Sequence, residues 1–157
     1  MKQIQRIVLS VAAVLAMTTL SQAADRKPIE VKKDDKCQVC GMFVAQYREW
    51  IAQVIFTDGT YAVFDGPKDM FKYYFNPAKY TRAKKQSDIQ ALYVTEYYST
   101  KFMDGRKLFY VVGSDVSGPM GAELVPLDSE KKAKEFMKDH HGKKVLTFPE
   151  IRREDVD

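Results

Sequence analysis

The chain has 157 residues, 25 Lys and Arg against 21 Asp and Glu, a formal net charge of +4 and two cysteines. So even a balance excludes the concentrated basic face that nucleic acid demands. At this size roughly two-thirds of the unfolded surface can be buried, so a core can form without disulfides.

Lys2 and Arg6 precede the apolar run Ile7 to Leu20, and Ser21-Gln22-Ala23 places small residues three and one before a cut. This reads as a secretory signal peptide over residues 1–23, cleaved after Ala23. The run is shorter than the about 20 residues a bilayer span needs, and no later segment is apolar enough, so stable membrane insertion is not expected. No cysteine stands near the cleavage point, so a lipid anchor is not expected either. The mature chain would begin at Ala24, keep 134 residues with 23 basic and 21 acidic groups, and be soluble and exported, which in a bacterium means periplasmic.

Residues 24–36 (ADRKPIEVKKDDK) are polar and predict a flexible leader with nothing to bury. Trp50 to Thr57 is rich in β-branched and aromatic residues, Asp58-Gly59 is a hairpin signal, and Thr60 to Phe64 returns as a second strand. Asp65 is placed to cap a helix that carries Pro67 in its first turn and stops near Asn76-Pro77. Met70, Phe71, Tyr74 and Phe75 recur on it at helical spacing. The basic stretch Lys79 to Lys85 reads as a solvated loop, or alternatively as a docking patch for an acidic partner. Ile89 to Tyr98 predicts a third strand.

The same order then recurs: strand Lys107 to Gly113, turn-rich SDVSGPMG, and strand Ala122 to Leu127. A helix follows, capped by Asp128 or Ser129, with Ala133, Phe136, Met137 and His140 on one face, and Gly142 ends it. Lys144 to Phe148 is the last strand. The expectation is an α+β fold of two related ββαβ units in one small two-lobed protein. Residues 37–98 hold the cysteine motif and the first unit; residues 99–157 hold the second and a C-terminal tail.

Both cysteines lie in KCQVCGMFV as Cys37 and Cys40, and three readings compete. A disulfide across so short a loop would restrain the unfolded chain by only about 2 kcal/mol. A thiol-disulfide exchange pair would use the same residues, but it wants the first cysteine at a helix N-terminus, and here Gly41 and β-prone Phe43-Val44 follow. A structural zinc site needs four ligands. The only histidines, His140 and His141, are distant and suit the C-terminal end of a helix. Cu(I) is soft, accepts thiolate and thioether, and is content with few ligands. Met70 and Met137 sit on apolar helix faces as core filler. Met42 and Met120 have no such face and are candidate thioether donors.

CQVCGMFV, then WIAQVIFTDGTYAVFDGPKDMFKYY, then SGPMGAELVP resemble the NosL family, accessory proteins associated with copper supply to nitrous oxide reductase. The resemblance runs from about Lys36 to Ile151. It implies two related ββαβ units and a periplasmic Cu(I) carrier, not an enzyme, with copper ligands among Cys37, Cys40, Met42 and Met120. The partner implied is a recipient periplasmic copper protein, nitrous oxide reductase or another copper enzyme. Many members are membrane-held lipoproteins. Two further readings stay beside this one: thiol-disulfide exchange through Cys37 and Cys40, and an interaction module in which Tyr73, Tyr74, Tyr80, Tyr97 and Tyr98 form a partner surface. A copper site shared between two chains is also compatible with the motif.

Overall fold

Every residue of β1 (Ala52–Phe56) is buried, so this strand needs cover on both of its faces. The structure, a computed structural model, describes residues 26–157 and shows how that cover is supplied. β1 pairs antiparallel with β2 (Tyr61–Phe64) through the Asp58-Gly59 hairpin and with β3 (Ile89–Thr95) on its other edge. A short β4 (Phe102–Asp104) closes the sheet in the order β2-β1-β3-β4. The second sheet is β6-β5-β7, built from β5 (Phe109–Gly118), β6 (Gly121–Leu127) and β7 (Lys144–Thr147), again antiparallel.

Between β2 and β3 run α1 (Pro67–Phe75) and the short α2 (Pro77–Tyr80); between β6 and β7 runs α3 (Glu130–Asp139). Each half thus reads strand, strand, helix, strand, and in each sheet the first strand of the half lies between the other two. The expected α+β class is what the molecule has.

α1 packs against β1 and β2 of the first sheet and β6 of the second. Phe71 is fully buried and meets Tyr110 edge-on, with ring centroids 5.1 Å apart. Side chains of this size contribute about 1.5–3 kcal/mol each when buried. Tyr73 is fully buried on the same helix, whereas Tyr74 and Phe75, which share the predicted helical spacing, are only partly covered. The opposite face of β5 carries Val111, which joins Val125, Leu127, Ala133 and Phe136 in a second cluster beneath α3. Ser129 caps α3 by accepting the Lys132 N–H, and His140 ends it, stacking on Phe136 and meeting Asp115 at 3.1 Å.

Three expectations need correction. Residues 26–36 of the predicted flexible leader do have something to bury: Ile29 and Val31 pack on the core. The buried Gln53 amide exchanges two 2.9 Å hydrogen bonds with the Ile29 backbone, and the Tyr93 hydroxyl donates to the Arg26 carbonyl. This strap covers the second face of the first sheet. The turn-rich stretch after Gly113 is strand through Gly118, with a register shift between Val112 and Ser117 that absorbs its Gly and Ser residues. Asp65 does not cap α1, because the N-cap is Gly66; the side chain that reaches the first turn is that of Glu123, which accepts the Lys68 N–H. The predicted signal peptide lies outside the described residues.

The proposed tyrosine surface is not one surface either. Tyr73 is fully buried, Tyr74, Tyr80 and Tyr97 are partly buried, and only Tyr98 is well exposed. Among the described residues no helix is long and apolar enough to cross a membrane.

Candidate metal centre

The cysteine motif is a closed knuckle. Lys36 and Phe43 pair across its neck, the Cys37 N–H donates to the Met42 carbonyl at 2.8 Å, and the Gly41 N–H donates to the Cys37 carbonyl at 2.9 Å. Gly41 takes φ +80°, a left-handed conformation that costs glycine nothing. The Gln38 N–H reaches the Val63 carbonyl of β2, which fastens the knuckle to the strand leading into Asp65.

Strand β2 and helix α1 then deliver two carboxylates to the two thiols. The Cys37 thiol donates to Asp69 Oδ2 at 3.3 Å, and Cys40 Sγ lies 3.4 Å from both oxygens of Asp65. One ligand atom from each of Cys37, Cys40, Asp65 and Asp69 falls within 4.8 Å of all the others. Both cysteines are free thiols, so the disulfide reading is not what this structure adopts. Cys37, Asp65 and Asp69 are buried and Cys40 is partly open, so one thiol of the pair is reachable from solvent.

Burial pushes the Cys37 thiol well above its ordinary range and the Cys40 thiol up to about 11. Thiol-disulfide exchange wants the opposite, a lowered thiol pKa. A soft ion replacing the protons would offset part of the thiolate charge that burial otherwise forbids.

Of the other expected donors, Met42 is partly buried in the knuckle, with its carbonyl on Cys37. Met120 is 44% exposed in the β5–β6 turn, and its carbonyl accepts from Lys68 Nζ at 2.9 Å. That bond brings the Met120 turn to the first turn of α1, one residue from Asp69. His140 and His141 lie at the end of α3 and take no part in the cluster.

Sequence reasoning missed Asp65, Asp69 and Glu123. Asp65 stands before the extended N-cap Gly66 and Asp69 in the first turn of α1, so no helical spacing announces the pair. Glu123 has no signal either. It is 3% exposed on β6, and its Oε1 accepts the Lys68 N–H at 2.5 Å and the Leu124 N–H at 2.9 Å. Burial raises it from 4.5 to about 8. Gly66 is needed beside it, since a Cβ there would sit 2.2 Å from Glu123 Oε2.

The family model described as NosL matches residues 28–156. The copper-binding lipoprotein NosL of Stutzerimonas stutzeri is 27% identical over 133 residues, covering 80% of this chain but only 66%, just under two thirds, of that protein. The crystal structure of the copper chaperone NosL from Shewanella denitrificans superposes with TM-score 0.67 at 21% identity, over 82% of this chain and 97% of the other, and shows the same fold. The solution structure of the apo-NosL protein from Achromobacter cycloclastes aligns at TM-score 0.48 and 26% identity, over 67% of this chain and 87% of that one.

Proposed function

Because this chain belongs to the NosL family, we propose that it is a periplasmic copper carrier, not an enzyme, which holds one Cu(I) through Cys37 and Cys40 and passes it to a recipient copper protein. Met42 or Met120 supplies the third soft donor, and nitrous oxide reductase is the first recipient to test. The observation that carries the reading is the convergence of two unlinked thiols in one cluster, one buried and one partly open. Two thiolates suit a soft monovalent ion and leave room for an incoming ligand, the condition for transfer by exchange. The aspartates are hard donors that Cu(I) does not seek; they accept the thiol protons while the site is empty of metal. The Stutzerimonas relative's description as a copper-binding lipoprotein supports both the metal and export.

The test is an anaerobic Cu(I) competition titration of the reduced protein against a chromophoric chelator, with the Cys37→Ser/Cys40→Ser variant as control. Near-stoichiometric uptake lost in the variant is the expected result. Equal uptake by both proteins would remove the ligand assignment.

A further inference from the structure

Val39, between the two cysteines, also walls a cleft of about 470 Å³. The last turn of α1 contributes Lys72 and Phe75, α2 contributes Lys79 and Tyr80, and Arg153 enters from the C-terminal turn. The Tyr80 ring is stacked on Tyr73 at 5.7 Å, Lys79 lies over that ring at 5.2 Å, and Arg153 donates to the Phe75 carbonyl at 2.9 Å. The cleft therefore has aromatic walls, an aliphatic patch at Val39, and three cations, with Asp157 as its acidic lining residue.

None of the ion pairs among the described residues involves Lys72, Lys79 or Arg153. Lys36 and Lys68, which flank the thiol cluster, are likewise outside them; one lies over Phe43 and the other donates to the Met120 carbonyl. Five basic side chains around the knuckle and cleft thus lack a carboxylate within ion-pair distance among the described residues, whereas Lys131 and Lys134 of α3 are paired within their own helix. Lys72 is three residues beyond Asp69, a rise of about 4.5 Å along α1.

We propose that this cleft docks an acidic segment of the protein that receives copper from Cys37 and Cys40, with an apolar side chain of that segment against Val39 and Phe75. The inference rests on the carrier reading and adds the chemistry of the partner. Complementary charge speeds encounter and fixes orientation, the two things a transfer complex needs without binding tightly. A peptide can enter a concave site and reach Val39, whereas a flat anionic membrane would meet only the rim.

The probe is a fluorescein-labelled peptide with four Asp or Glu residues around one Phe, set against its Asn and Gln counterpart. Binding to the reduced protein is read by anisotropy at low and physiological salt, and Cu(I) uptake is measured on the same samples. The acidic peptide should bind about tenfold or more tightly than its neutral counterpart and weaken with salt. Lys72→Glu/Lys79→Glu, and the exposed Lys79→Glu alone, should lose most of that preference with Cu(I) uptake unchanged. Equal binding of the two peptides, or full binding by the charge-reversed variants, overturns the inference. So does sedimentation of the protein with phosphatidylglycerol vesicles in the absence of peptide binding, which would assign the face to membrane. If the unmodified protein takes up no Cu(I), the carrier reading fails whatever the peptide does; if uptake is intact and the peptide is ignored, only the docking cleft fails.

Discussion

Cys40 faces Asp65 squarely, with its sulfur 3.4 Å from each carboxylate oxygen. In the protonated state this is a hydrogen bond. Once a metal has displaced the proton, it sets two like charges side by side in a partly buried place. If copper binds Cys40 as proposed, Asp65 opposes the metal-bound state and favours release. Asp65→Asn should tighten Cu(I) binding several-fold, up to about tenfold, and slow transfer to a competing chelator. Competition titration and stopped-flow transfer would show it; weaker binding in the variant would mean that the carboxylate supports the ion directly.

The thioether question is settled by size-conserving changes. Leucine replaces methionine with little effect on packing, so Met42→Leu and Met120→Leu should leave the unfolding midpoint almost unmoved. The variant that removes a copper ligand should weaken Cu(I) uptake by roughly tenfold or more, about 1.4 kcal/mol per tenfold step. If neither change weakens uptake, copper is held by the thiols alone.

Gly41 holds its left-handed dihedral with nothing within 4 Å of where a Cβ would stand. Substitution there is limited by backbone conformation and not by space. Asn tolerates this region better than Ala, and a β-branched residue worse. Cu(I) affinity and stability should fall in the order Gly41→Asn, Gly41→Ala, Gly41→Val, with about 1 kcal/mol lost at the alanine. Thermal unfolding alongside the titration checks the order.

Gly66 presents the contrary case. Its backbone is extended, but an added Cβ would strike Glu123, whose carboxyl is pinned by two backbone N–H groups. Gly66→Ala should cost about 1–3 kcal/mol by overpacking. An unchanged urea midpoint would show that Glu123 can leave its seat freely.

Glu123 also fixes a pH dependence. Burial raises its pKa from 4.5 to about 8, so below pH 4.5 both the folded and the unfolded chain keep the proton. As pH rises from there, the unfolded chain ionises first and stability falls, levelling off once the folded protein ionises too, near pH 8. Glu123→Gln keeps an oxygen for the Lys68 and Leu124 N–H groups and cannot ionise. The variant should gain on the parent protein between pH 5 and 8 in urea unfolding, with a constant difference above. Parallel stability curves would contradict this.

The strands and helices that could be read from sequence were those whose pattern is local: alternating or continuous apolar runs at β1, β3 and β6, and helical spacing at α1 and α3. β4 escaped notice because it is three residues beside a glycine. The far half of β5 escaped because Gly, Ser and Asp there read as turn residues, and only the partner strand reveals a bulge. The strap over residues 26–31 is held by the side chain of Gln53, which no hydrophobic pattern announces. The thiols were legible from their spacing. Their carboxylate partners were not, since an aspartate two residues before Pro67 looks like a cap until its oxygens are seen on Cys40.

The bond between Glu123 and Lys68 joins positions 55 residues apart. The thiols, by contrast, meet β2 and the start of α1 across separations of 25 to 32 residues. Because the entropy of closing a loop grows with its length, and non-local contacts slow folding, the thiol pair can gather before its support is in place. β6 must still arrive before α1 is anchored from both sides. The seat of the thiol pair is thus completed by a glutamate well beyond the cysteines along the chain.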